Sequence, residues 1–300
     1  MREPPLARPL PDGRLHLHDG PIDLILEAFG ERHEIRAGYY SAAKRFANIL
    51  DELCEELPLL RSAARRDGPQ PSGRVARRMA SAVEPFAESV FITPMAAVAG
   101  AVAEEILEAM IMSANLERAY VNNGGDIAFH LAPAESFIVG MVERPDRPSL
   151  FGTLRIDGSR PERGIATSGW RGRSFSLGIA DAVTVLATCA SKADAAATVV
   201  ANAVDLPGHR AILRVPAREL APDSDLGDRP VTRNVGRLDA SEIEQALDAG
   251  LAVALEIIHE SLISTAALNL SGVTRVAGPA FTSGNLRAMG TSLLGSAESA

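Results

Sequence analysis

Apolar positions change their spacing several times along the chain, and each change predicts an element. Over residues 14–39 short apolar runs alternate with turn residues (Leu15, Leu17; Asp19-Gly20; Ile22, Leu24, Ile25), the signature of a pair of strands. From Ser41, a possible cap, Phe46, Ile49, Leu50, Leu53, Leu57 and Leu60 recur at helical spacing, interrupted near Pro58. Residues 67–73 (DGPQPSG) form a breaker-rich loop, and a shorter helix follows around 74–84. Thr93-Pro94 then starts a helix running from Met95 to about Met112, because proline's missing N–H is harmless in a first turn. Runs at 119–122, 126–131, 136–143, 151–156, 163–167, 174–179 and 182–188 are separated by polar turns. Such a meander predicts a largely antiparallel sheet. A helix over Ala193–Ala203 opens at Asp194, 216–237 has little pattern, and Ser241 with Glu244 makes an S-x-x-E start for a helix reaching about Ser261. The run Ala267–Val276 is a last strand. The sum is an α+β fold of largely antiparallel β-sheets flanked by helices. One domain is expected over 1–300, with N-terminal strands in 1–40, a core in 90–205 and a C-terminal extension of helix and strand in 206–300.

Composition narrows the function. With 46% apolar and 23% charged residues the chain is an ordinary globular protein, and its net charge of −8 lacks the basic footprint that nucleic acid or anionic membrane requires. Cys54 and Cys189 are the only two cysteines, which excludes a disulfide framework and fits a reducing compartment. The polar, proline-rich N-terminus does not read as a signal peptide, and no apolar stretch is long enough for a transmembrane helix. A cytoplasmic protein is expected. Its alanine-rich helices and the apolar helix near 251–263 suggest a homodimer.

Three segments carry candidate chemistry. In Asn122-Asn123-Gly124-Gly125-Asp126 the glycines supply positive φ and bare backbone N–H groups, with Asn-Gly alone already sufficient for a plain hairpin turn. In Ala166-Thr167-Ser168-Gly169 two hydroxyls can donate to phosphate oxygens and Gly169 opens the backbone. Trp170 could cover an aromatic ligand, and Arg171 and Arg173 add positive charge; a solvated polar loop has the same composition. Asp194 and Thr198, four apart, leave one face of a helix as hard oxygen ligands suited to Mg²⁺, or Asp194 simply complements the helix dipole. The small-residue stretch Ala96, Ala97, Ala99, Gly100, Ala101 and Ala103 permits close approach, either of another backbone or of a ligand. His16 and His18 share a strand face without an Asp or Cys partner placed by sequence, and His130, His209 and His259 do not join them.

Taken in order, TPMAAVAGAVAEEI, YVNNGGDIAF, GIATSG and DAVTVLATCASKADAAATVVAN resemble the alanine-glycine helix, glycine-glycine turn, threonine-serine-glycine loop and metal-binding helix of the ApbE superfamily, whose founding members are FAD:protein FMN transferases. The wording is most similar to an uncharacterised branch, and the resemblance covers roughly 90–205. It implies a T-fold-related architecture, FAD or a similar phosphorylated small molecule along Asn122, Asn123, Gly124, Gly125, Asp126, Thr167, Ser168 and Gly169, and Mg²⁺ on Asp194 and Thr198. The transferases' lysine-glycine pair is Gly100-Ala101 here, and their histidine segment is replaced by Arg173–Gly178. Those departures leave a transferase as the leading expectation, with a non-catalytic flavin or nucleotide binder and a cofactor-biosynthesis enzyme of different substrate as alternatives.

Overall fold

Alternation in the N-terminal region does build strands, and they start the main sheet. The computed structural model describes residues 4–142 and 150–279. Residue 143 of the expected 136–143 run, and 1–3 and 280–300 of the expected domain, lie outside the described residues. Strands β1 (Leu6–Pro9), β2 (Leu15–Asp19) and β3 (Ile22–Phe29) lead to helix α1 (Arg32–Phe46). The short helices α2 (Ile49–Glu55) and α3 (Leu57–Leu60) precede α4 (Arg74–Val83) and α5 (Val98–Ser113). Next come β4 (Arg118–Asn123), β5 (Asp126–Leu131), β6 (Ser136–Val142), β7 (Leu150–Asp157), β8 (Gly164–Ser168) and β9 (Ala182–Ala187). Helix α6 (Ala190–Ala203), β10 (Ile212–Pro216), α7 (Ala217–Leu220), β11 (Pro230–Val235), α8 (Ala240–His259), β12 (Thr265–Leu270) and β13 (Val273–Ala277) complete the order.

The fold is α+β. Nine strands form one sheet in the order β1-β2-β3-β4-β5-β8-β9-β12-β13, and every recorded pairing in it is antiparallel. Helices α5 and α6 lie across one face, with α1 packed on α5 and α8 on α6, β12 and β13. The core sits between them, where Leu17, Leu24, Leu26, Val121, Val183 and Val185 meet Ile106, Met110 and Val200. On the opposite face a smaller cluster of Phe129, Leu131, Ile165 and Leu186 is covered by Phe137 and Val139 of β6 and by Ile156 of β7.

Several boundaries differ from expectation for identifiable reasons. Helix α1 begins well before Ser41, because its buried stripe is only Gly38, Ala42 and Phe46, too small to mark a helical period. Thr93 extends the chain into a 3-10 turn (Pro94–Ala97), but its hydroxyl bonds Asp225 rather than capping. Residues 174–179 form no strand, since Asn202 Oδ1 accepts from Leu177 N (2.9 Å) and Ser176 Oγ (3.1 Å) where a neighbouring strand would have paired. The patternless stretch 216–237 contains α7 and β11, and β11 forms a separate hairpin with β10. Helix α8 is capped by Asp239 and Glu242, not by Ser241 and Glu244, with both reciprocal bonds present. The run at 267–276 is two strands joined at Ser271-Gly272, both with positive φ.

Small residues set the distance between layers. A Cβ on Gly100 of α5 would overlap the Ala190 carbonyl, and one on Gly164 of β8 would overlap the Ala190 backbone nitrogen. The alanines of both helices (Ala101, Ala103, Ala193, Ala195, Ala196, Ala197) are buried inside this core. The small-residue stretch therefore serves helix packing. Replacing Gly100 by Ala is expected to cost about 1–3 kcal/mol, read as a lower urea midpoint.

Candidate functional site

The hairpin β4–β5 closes with Asn123 paired to Asp126 across Gly124-Gly125. Both glycines have positive φ (67° and 116°), as a two-residue loop of this kind requires. Asn122 Oδ1 accepts from Gly125 N (2.8 Å), and Asn123 Nδ2 donates to the Ala99 carbonyl (3.1 Å), which ties the turn to the start of α5. Nothing lies within 4 Å of where a Gly125 Cβ would be. The corresponding space at Gly124 is filled by the guanidinium of Arg173. One side of the turn is thus open and the other meets a cation.

Strand β8 brings the second segment alongside. Thr167 N donates to Asp126 Oδ1 (3.2 Å), while the Thr167 hydroxyl is shared with Thr184 (2.9 Å). Ser168 ends the strand half-buried. Gly169 packs on the carbonyls of Ala180 and Asp181, so its missing side chain serves chain packing. Trp170 donates to Asp181 Oδ1 (3.2 Å), and Arg171 both donates to that oxygen (2.5 Å) and lies 4.2 Å over the Trp170 ring. Buried Asp181 also accepts from Ser271 N (2.7 Å), so this acid, which spacing alone did not single out, anchors the loop.

The third segment closes the site. Helix α6 starts at Ala190, so Asp194 stands in its second turn and not at its cap. Its Oδ2 accepts from Gly100 N (2.9 Å), where the first turn of α5 has free donors. Asp194 and Asp126 each keep only part of their surface open. Burial holds the Asp194 carboxyl well above the usual carboxylate range, the charge of Asp126 pushes it further, and the Gly100 and Ala99 amides pull the other way. Burial likewise pushes Asp126 up to about 7, against the Thr167 amide and Arg173. Thr198 follows Asp194 by one helical turn, half-buried. The three sequence segments therefore converge, and a pair of like-charged acids marks their meeting point.

Such a pair is a poor arrangement for an empty fold and a suitable one for a divalent cation, whose charge relieves the repulsion and whose preference is for oxygen. A cavity of about 400 Å³ lies elsewhere, lined by Arg74, Arg78, Glu104, Cys189, Ser191 and Lys192. Two of its arginines, Arg74 and Arg78, pair with Glu104, Glu105 and Glu108, and a third, Arg77, donates to the Ser72 carbonyl.

Residues 7–276 match the model of a family described as "AbpE bacteria", which is most of the chain. The chain belongs to the ApbE family. Among relatives, the UPF0280 protein of Methanopyrus kandleri is 41% identical over 128 residues, 43% of this chain and 48% of that protein. A UPF0280 protein of Methanosarcina acetivorans is 36% identical over 139 residues, 46% and 52% of the two chains. The matched region thus spans about half the length of these curated relatives. The apo form of the flavinyl transferase ApbE from Pseudomonas stutzeri is similar at 10% identity and TM-score 0.43, covering 92% of this chain and 95% of that one. A mutant of the flavin transferase ApbE from Vibrio cholerae is similar at 11% identity and TM-score 0.36, covering 91% and 96%. Among the described residues no helix is long and apolar enough to cross a membrane.

Asp126→Asn keeps an oxygen for the Thr167 amide and removes one of the two repelling charges. In EDTA at pH 8 it is expected to raise the melting temperature by about 2–4 °C, the equivalent of roughly 1 kcal/mol. An unchanged or lower melting temperature in differential scanning calorimetry would show that the pair carries no strain.

Proposed function

We propose that this ApbE-family protein binds a phosphate-bearing, flavin-like ligand through a divalent cation, with Mg²⁺ the expected metal and FAD the expected ligand. The observation that carries the reading is the half-buried pair Asp126 and Asp194, each held above its ordinary range beside an open glycine turn. Asp126 and Asp194, with Thr198 one turn further, would hold the cation, which when bound neutralises phosphate charge and eases departure of a phosphate leaving group. The flavin part rests on the family resemblance, and the phosphate and cation part rests on this chain's residues.

Each remaining residue then has a role in binding. Open space over Gly125 leaves room for a ligand at the Gly124-Gly125 turn, while the Gly125 amide is held by Asn122 Oδ1 and the Arg173 guanidinium lies over Gly124. Asn122 and Asn123 fix the turn's position through their bonds to Gly125 N and the Ala99 carbonyl. Ser168 ends β8 beside the turn as a hydroxyl donor. Arg173 brings a cation against Gly124, from the segment that replaces the transferases' histidine run. Thr167 and Gly169 act through the backbone, one by its amide on Asp126 and the other by allowing the loop to close on Asp181. Trp170 is held by Asp181 and stacked with Arg171, so covering an aromatic ligand would require Arg171 to leave its face.

Thermal shift and calorimetry with FAD, FMN and ADP, each with Mg²⁺ or EDTA, test the binding. FAD at about 100 times its Kd should stabilise the protein by about 2.7 kcal/mol. The Mg²⁺-dependent part should disappear in Asp194→Asn. No shift with any of the three ligands at millimolar concentration would sink the reading. Mass spectrometry of the same mixtures with an acceptor protein added separates a transferase, which moves FMN from FAD onto an acceptor hydroxyl and releases AMP, from a carrier that returns FAD intact.

A further inference from the structure

We infer that the β2–β3 hairpin carries a separate site for a divalent transition metal, formed by His16, His18 and Asp23. The inference is independent of the reading given to Asp126 and Asp194. Leu15, Leu17, Leu24 and Leu26 occupy the helix side of this hairpin and are buried, so alternation sends His16 and His18 to the other side. Gly20, with φ of 55°, closes the hairpin so that Asp19 pairs with Ile22 and His18 pairs with Asp23. That register puts a carboxylate directly across from one imidazole and diagonal to the other. His16 Nε2 lies 2.7 Å from Asp23 Oδ1, and the two imidazole rings are 6.2 Å apart. One ligand atom from each of the three residues lies within 4.8 Å of the others.

The donor set selects the ion. Two imidazoles and one carboxylate suit Zn²⁺, with a fourth position left for water or an external ligand. Asp23 supplies the set's one negative charge, and exposed Arg8 stands in register with His16 on β1. Attraction of a hard ion such as Mg²⁺ or Ca²⁺ is therefore weak here, and binding depends on the imidazole nitrogens. His18 is exposed and Asp23 half-exposed, so a hydrated ion reaches the site without opening the fold. His16 Nε2 and Asp23 Oδ1 already lie 2.7 Å apart, so two ligand atoms are gathered before metal arrives, and the ion displaces the proton between them.

The test is calorimetric titration of Zn²⁺ alone into the untagged, metal-stripped 300-residue chain, with wild type, His18→Ala, Asp23→Asn and Asp126→Asn/Asp194→Asn compared. The expected result is Zn²⁺ bound at micromolar concentration, with affinity falling about 10–100-fold or more in His18→Ala and in Asp23→Asn. The affected component should be retained in the double aspartate variant. His18 lies outside the core, so an unchanged far-UV circular dichroism spectrum is expected for its variant. Absence of Zn²⁺ binding by the wild type, or equal affinity in His18→Ala, overturns the inference. Loss of all zinc binding in the double aspartate variant overturns it as well, because the ion would then sit at the other site.

Discussion

Backbone-to-backbone contact at Ala190 is the constraint on which the rest of the arrangement depends. Gly100 of α5 approaches the Ala190 carbonyl, and Gly164 of β8 approaches its nitrogen, so the start of α6 is wedged between a helix and a strand. Any side chain at either glycine would push α6 outward. At this separation Asp194 reaches the free amides of α5, and α6 covers the strand ends that carry Asp126 and Ser168. The same close approach explains why the two helices are so rich in alanine: a well-packed interior at short range has no volume for larger groups. The site is thus a consequence of packing before it is a matter of chemistry.

Electrostatics runs the other way. Packing brings Asp126 and Asp194 together in partly enclosed surroundings, where each resists ionisation and the charge of Asp126 adds to the resistance at Asp194. Several other enclosed acids among the described residues are paired with arginine. Glu105 is buried yet meets Arg45, Arg74 and Arg78, Glu162 meets Arg160, and Asp181 meets Arg171. Asp126 and Asp194 instead rest on backbone amides, with Arg173 at the edge. The aspartate pair thus departs from the arginine pairing seen at Glu105, Glu162 and Asp181.

Much of the fold was legible. Alternation located the strands from β2 to β9 apart from the false run at 174–179, the breaker-rich loop at 67–73 preceded α4, and the Thr93-Pro94 start signal located α5. What failed had a common cause, since the missing elements lack an apolar period of their own. Helix α1 buries a glycine and an alanine ahead of Phe46, and in the run at 174–179 the amides of Leu177, Gly178 and Ile179 go to Asn202 Oδ1, Ser176 Oγ and the Val204 carbonyl instead of to a strand. At the site, the order of NNGGD, ATSG and ADAAAT was readable. The roles inside it were less so. Gly169 and the Thr167 hydroxyl looked like ligand contacts and are engaged with Asp181 and Thr184, and Arg173 was visible only as charge.

The sequence by itself determined the alternation of strands, the antiparallel order of the meander, the glycine turn and the i, i+4 placement of Asp194 and Thr198. Each of these depends on neighbours along the chain, where φ preferences and side-chain period act directly. It also contained the His16–His18 face, and the register set by the Asp19-Gly20 turn places Asp23 opposite His18. Only the tertiary structure decided that Asp194 faces Asp126, that Arg173 lies on Gly124 and that the alanine-rich helices close on each other. Those relations join residues far apart in the chain, and they are set by how closely α6 can approach β8 and α5. That distance is a property of packed volume, which no local pattern encodes.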